Sequence, residues 1–209
     1  MSRGLTALRP FTSLAVTVVT ALSLLGVLAP AAGAAPPNLP PADVKALTKE
    51  FKAKLEPYGL RITRGLLQNP STYKPDPEGT HLALYVEPKS AQYSTADYVK
   101  NFAKLTHEFV PMVFNRWSGL QSFDICQEPL NDTREAPPPV TQIFLTRAAL
   151  DRVANWKKAS LTEVLAAAPV DRRRSTDYYV YFNSDTRTDP AFVKAADAAN
   201  YPTDVPFGY

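Results

Sequence analysis

The sequence predicts an α+β fold: a mostly antiparallel sheet of about five strands with helices packed on one face. Three observations carry this reading. Segments of helical and alternating hydrophobicity follow the order α-β-β-α-β-β-α-α-β-α, so strands come in hairpin-like pairs between helices. Several helical segments open on a capping residue. The 209 residues are 45% hydrophobic and show no internal repeat and no second domain boundary. One Cys excludes a disulfide scaffold, and 20 prolines against 8 glycines exclude collagen. The apolar fraction is too high for a disordered chain.

Residues 1–34 read as a secretory signal peptide. Arg3 and Arg9 precede an uncharged apolar run from Leu14 to Leu28, and Ala32 and Ala34 satisfy the small-x-small cleavage rule. No twin-Arg pair precedes the run, so export in an unfolded state is expected. The only Cys is Cys126, far from the cleavage site, so a lipoprotein anchor is not expected. The Ala- and Pro-rich cleavage region resembles in composition that of a high-GC bacterium. Of the formal net charge of +3, Arg3 and Arg9 would leave with this segment. The remaining chain is close to neutral and gives no charge argument for nucleic acid. Membrane contact is expected only through the signal segment.

Residues 35–41 form a stiff proline-rich linker, and 42–209 a single domain with an aromatic C-terminal tail. The first helix spans about 42–56, with Val44, Leu47, Phe51 and Leu55 on one side and Lys45, Lys49 and Lys52 on the other. Leu60–Gln68 is a strand interrupted by Gly65, and a breaker-rich loop follows. In His81–Glu87, Leu82, Leu84 and Val86 share one face and His81, Ala83 and Tyr85 the other. A long helix over 95–117 begins at the capping pair Ser94 and Asp97 and is kinked or ended by Pro111. Gln121–Glu128 and Val140–Thr146 are the next strands. Thr146 caps a helix over 147–158 whose inner face is Leu150, Val153 and Trp156. Ser160 and Glu163 box a short helix ending at Pro169. Asp177–Asn183 is an aromatic strand, and Asp189-Pro190 starts the last helix.

Each catalytic pattern lacks a member. His107-Glu108 opens a zinc-protease pattern, but Pro111 stands where the second His belongs, so no metal or other cofactor is expected. Cys126 could act as a nucleophile with His107 or His81, yet it lies mid-strand, where an inert buried thiol is the usual case. Asp124, Cys126 and Glu128 alternate in one strand, which puts the two carboxylates about 13 Å apart. An acid/base couple would need another carboxylate such as Glu87, and a doubly buried strand would pair Asp124 with an Arg such as Arg147. Tyr179 and Tyr181 on one strand, with His81 and Tyr85 on another, offer aromatic contact surface for a ligand. Arg172–Arg174 reads as a solvated loop.

The expectation is a non-enzymatic envelope or extracellular protein that binds a protein partner or small ligand through its sheet and loops. The alternatives are a secreted hydrolase using Cys126 with His107, or Asp124 with Glu128 or Glu87, and a structural assembly module. N-terminal sequencing of the exported protein should find a start within a residue of Ala35. A start at Met1 or Ser2 would sink the cleavage reading.

Overall fold

Five strands, in the sequential order β1-β2-β3-β4-β5, form one sheet in the computed structural model. The model describes residues 38–41, 43–135, 137–151, 160–168 and 177–203. All of these lie in one compact unit, Pro36–Tyr209. The expected signal peptide, Val153 and Trp156, Arg172–Arg174, and Phe207 and Tyr209 of the tail fall outside the described residues.

Asp43 opens α1 (Val44–Leu55) by accepting from the Lys45 and Ala46 backbone N–H groups. Leu47, Phe51 and Leu55 are buried. A short turn over Glu56–Tyr58 ends at Gly59, whose φ of 67° lets the chain reverse into β1 (Leu60–Gln68). The strand runs through Gly65 without a break. A Cβ there would lie 2.2 Å from Leu47 Cδ1, so glycine is what lets α1 lie directly on the strand. The irregularity sits earlier, as a register shift between Ile62 and Arg64 that leaves Thr63 bulged.

β1 pairs antiparallel with β2 (His81–Pro88). The next pairing corrects the sequence expectation. β2 and β3 (Ser122–Gln127) run parallel, His81 opposite Ser122 through Val86 opposite Gln127, so the sheet is mixed. The physical reason is the long helical segment between them, which carries the chain back to the starting end. Antiparallel pairs join β3 to β4 (Thr141–Thr146) and β4 to β5 (Tyr178–Phe182).

The crossover is α2 (Thr95–Lys104), a wide π turn over Leu105–Phe109, and α3 (Val110–Arg116). Both halves of the Ser94–Asp97 capping box form. Pro111 falls in the first turn of α3, where a missing N–H costs little, and the wide turn before it absorbs the break. Phe109 and Phe114 pack on Phe123 at centroid distances of 6.4 and 6.3 Å, and Phe102 packs on Phe182 at 4.5 Å. Arg147 closes the far end. Its guanidinium donates to the carbonyls of Leu120 (2.7 Å), Trp117 (2.7 Å) and Phe114 (3.1 Å), which finishes α3.

After β4, Thr146 accepts from the Ala149 N–H and caps a single turn, Arg147–Ala149. The expected helix beyond it lies mostly outside the described residues. Ser160 and Glu163 box α4 (Leu161–Ala167), where Val164 O accepts from the Tyr178 hydroxyl at 3.0 Å. α5 (Ser184–Arg187) leads into α6 (Pro190–Ala199), which sets Phe192 against Phe182 at 4.8 Å and ends at left-handed Asn200.

Two glycines give a graded test. At Gly65 the obstacle to a Cβ is a side-chain end, whereas at Gly79 it is the Gln68 carbonyl oxygen, 2.2 Å away. Gly65→Ala should cost about 1–3 kcal/mol in urea unfolding, and Gly79→Ala more, because backbone cannot step aside. A Gly79→Ala protein as stable as the wild type would refute this packing.

Candidate functional site

Strand register fixes which side chains share the second face of the sheet. His81 stands beside Ser122 and Thr146; Ala83 beside Asp124, Phe144 and Tyr179; Tyr85 beside Cys126, Gln142 and Tyr181. Residues Leu82, Phe123, Leu145 and Tyr178 alternate with these and enter the core. All the expected ligand-binding candidates, His81, Tyr85, Tyr179 and Tyr181, therefore lie on one face with Asp124 and Cys126. β3 is nevertheless buried along its whole length, on both faces.

The deepest group is His81, fully buried. Its Nδ1 shares a hydrogen bond with Ser122 Oγ at 2.9 Å, and its Nε2 faces Asp124 Oδ2 at 3.6 Å, beyond hydrogen-bonding distance. Gln142 Nε2 donates to Asp124 Oδ2 at 3.0 Å. His81 Nε2 and Asp124 Oδ1 have no hydrogen-bond partner. Tyr73, at a φ of 55°, and Phe144 both set their rings against His81, with centroids 5.3 and 5.6 Å from it and 6.2 Å from each other.

Ser122, His81 and Asp124 together have the membership of a hydrolase triad, but the geometry denies the chemistry. Ser122 is 4% exposed, so a substrate cannot reach it. The nearest backbone N–H groups, of Gln121 and Ser122, both donate to Thr80 O, leaving no local donor pair for an oxyanion.

Glu128 follows β3 and is held elsewhere. Arg64 pairs with its Oε1, and the Thr63 hydroxyl donates to its Oε2 at 2.8 Å. Two consecutive residues reach one carboxylate because the bulge at Thr63 turns both the same way. The Arg64 guanidinium also donates to Glu135 O at 2.8 Å and lies 4.0 Å from the Tyr85 ring centroid. Glu87 is taken by Arg61 and by the Asn131 N–H. Each strand carboxylate thus has its own donors, and they form no acid/base couple. Asp124 meets Gln142 and His81, whereas Arg147 is spent on the carbonyls of Phe114, Trp117 and Leu120.

Cys126 and His107 are not brought together. His107 belongs to the turn whose Phe109 packs on Phe123, on the opposite side of the sheet from the thiol. Burial pushes the Cys126 thiol well above its ordinary range, and the charges of Asp124 and Glu128 push it further. Tyr85 is raised in the same way, by burial and then by Asp124. Among the described residues no three His, Cys, Asp or Glu converge as metal ligands. No described helix is long and apolar enough to cross a membrane.

Open hollows among the described residues lie elsewhere. One, of about 280 Å³, sits at the carboxyl ends of β2 and β3 between Tyr93, Tyr98, Pro129 and Asn183. Its polar tips are occupied: Tyr98 donates to Glu128 O at 2.9 Å, and Asn183 caps α5. Burial there raises the Tyr93 phenol to about 12. Another, of about 450 Å³, lies between α1 and Trp117.

Compared with known proteins, the chain matches no family model, no curated protein and no solved structure. The reading of the site rests on its own geometry. Sequence reasoning missed Ser122, Gln142, Arg64 and Tyr73. Continuing the alternation of Asp124 and Cys126 by one step finds Ser122. Nothing in the breaker-rich loop marks Tyr73.

Cys126 should label with iodoacetamide far more slowly than a free thiol up to pH 9, and at the free-thiol rate in urea. Fast labelling of the folded protein would place the thiol in the open.

Proposed function

We propose that this protein is exported and binds a partner or small ligand, without catalysing a reaction, through the tyrosine-bearing second face of its sheet and the adjoining loops. One observation supports the reading. Among the described residues, ring, side-chain and hydrogen-bond contacts of α1, α2, α3, α4 and α6 with the sheet involve its Leu82–Phe123 side, which favours the tyrosine-bearing side for a ligand. Tyr85 and Tyr179 are half-buried there on a hydrogen-bonded sheet, Tyr85 with the Arg64 guanidinium over its ring, and such amphipathic rings suit contact with a ligand. Such rings stack on flat, hydroxyl-bearing partners, of which a saccharide is the simplest. Among the described residues, the burial of Ser122 and Cys126 and the separate pairing of Glu87 and Glu128 favour binding over hydrolysis.

Titration calorimetry with cellohexaose, chitohexaose and maltohexaose tests this. At least one should bind, and Tyr179→Ala should weaken it about tenfold, roughly 1.4 kcal/mol, without lowering Tm. Binding of none of the three would remove the saccharide reading. Hydrolysis of a peptide, ester or glycoside that a single substitution abolishes would replace binding by catalysis.

A further inference from the structure

We propose that the hollow at the carboxyl ends of β2 and β3 binds an alkylammonium ion. Its position follows from the topology. β2 and β3 run parallel, so both chains emerge at one end of the sheet. From β2 the chain turns into α2 on the apolar face, where Phe102 packs on Phe182. From β3 it crosses to the opposite face, where the Asn131 N–H reaches Glu87 and Glu135 O accepts from Arg64. Neighbouring strands whose chains part to opposite faces leave a crevice between them. The hollow of about 280 Å³ is that crevice, with Tyr93 and Tyr98 on the α2 side and Pro129 and Leu130 on the other. At the liquid volume of water it has room for roughly nine molecules, enough for a ligand of a few carbon atoms.

The chemistry of the lining selects the ligand. Among the described residues Asp185 is the only charged side chain in it, which repels an anion and draws a cation. Its carboxylate is exposed, accepts only from the Ser184 hydroxyl at 3.4 Å, and pairs with no cation among the described residues. The other carboxylates at these strand ends, Glu87, Glu128 and Asp97 of α2, are engaged by Arg61, Arg64 and the Ser94 cap. A sugar or other polyol would find few free partners. The Tyr98 hydroxyl is spent on Glu128 O, Asn183 Oδ1 on the Thr186 N–H, and Ser90 Oγ on Gln92. The hydrogen bonds of the two tyrosines also hold their rings still. Tyr93 accepts from Asn101 Nδ2 at 2.8 Å and meets Tyr98 at 4.8 Å with ring planes 82° apart, an aromatic corner fixed before anything binds. Aromatic rings attract a positive head group, and Pro129, Leu130 and buried Val140 offer the apolar wall that its alkyl part covers.

NMR titration of the folded chain tests this with two cations, choline and butylamine, each beside its uncharged analogue, the tert-butyl alcohol isostere of choline and butanol. At least one cation should shift the Tyr93 and Tyr98 ring signals saturably, in the millimolar range of so small a ligand, and its analogue should bind about tenfold more weakly. The tighter cation identifies the head group as quaternary or primary. Asp185→Asn should weaken that cation about fivefold with Tm unchanged, since Asp185 is exposed. Should Asp185→Asn protein fail to fold, Leu130→Arg, which brings a positive charge to the hollow, decides in its place by the same loss. No saturable shift with either cation, equal affinity for cation and analogue, or undiminished binding in the deciding variant would overturn the proposal. Amine binding without saccharide binding, or the reverse, separates this reading from the one above.

Discussion

Because β2 and β3 run parallel, the chain leaves β2 at one end of the sheet and must re-enter at the other. The crossover of α2, the π turn and α3 is the means, and much else follows from it. Phe102, Phe109 and Phe114 are carried over the sheet and laid on Phe182 and Phe123. β3 gains a neighbour on each side and is buried on both faces. The first residues of β2 and β3 come into register, which is why His81 stands beside Ser122 and near Asp124. Arg147 then seals the end of the crossover by donating to three carbonyls, those of Phe114, Trp117 and Leu120.

Burying carboxylates along the second face costs desolvation that an ion pair repays only in part. Their value here is positional. Thr63 and Arg64 both reach Glu128 only with the bulge in place, so a one-residue slip of β1 would strand a buried charge. Gln142 does the same for β4 by donating to Asp124, while on the opposite, core side Gln127 Nε2 donates to Thr141 Oγ1 at 2.6 Å. The apolar face supplies most of the driving force, and the polar face selects the register.

What the sequence made legible was periodic or local. Alternation separated Leu82, Leu84 and Val86 from His81 and Tyr85, and the spacing of Ser94 to Asp97 and Ser160 to Glu163 marked two helix starts. A period of two has no direction, so nothing in His81–Glu87 or Gln121–Glu128 distinguishes a parallel from an antiparallel neighbour. Long-range partners were hidden for a related reason. Arg64 and Glu128 meet only because a bulge, invisible in composition, turns Arg64 inward. Gly65 looked like a break and is a point of close approach to Leu47, since a missing side chain can serve either end. His107 and Cys126 looked compatible until the sheet came between them.

β1 ends the sheet on one side, and an end strand offers its spare backbone groups to any passing chain. The bulge at Thr63 denies that offer. It divides the outer rim into two short stretches, while Pro75 and Asp76 occupy the far one by bridging back to Gln68 and Leu67. Arg61 and Arg64 add charge along the same strand. A newcomer would find too few consecutive donors and acceptors to zip onto, so the feature that aims two side chains at Glu128 also guards against self-templated aggregation.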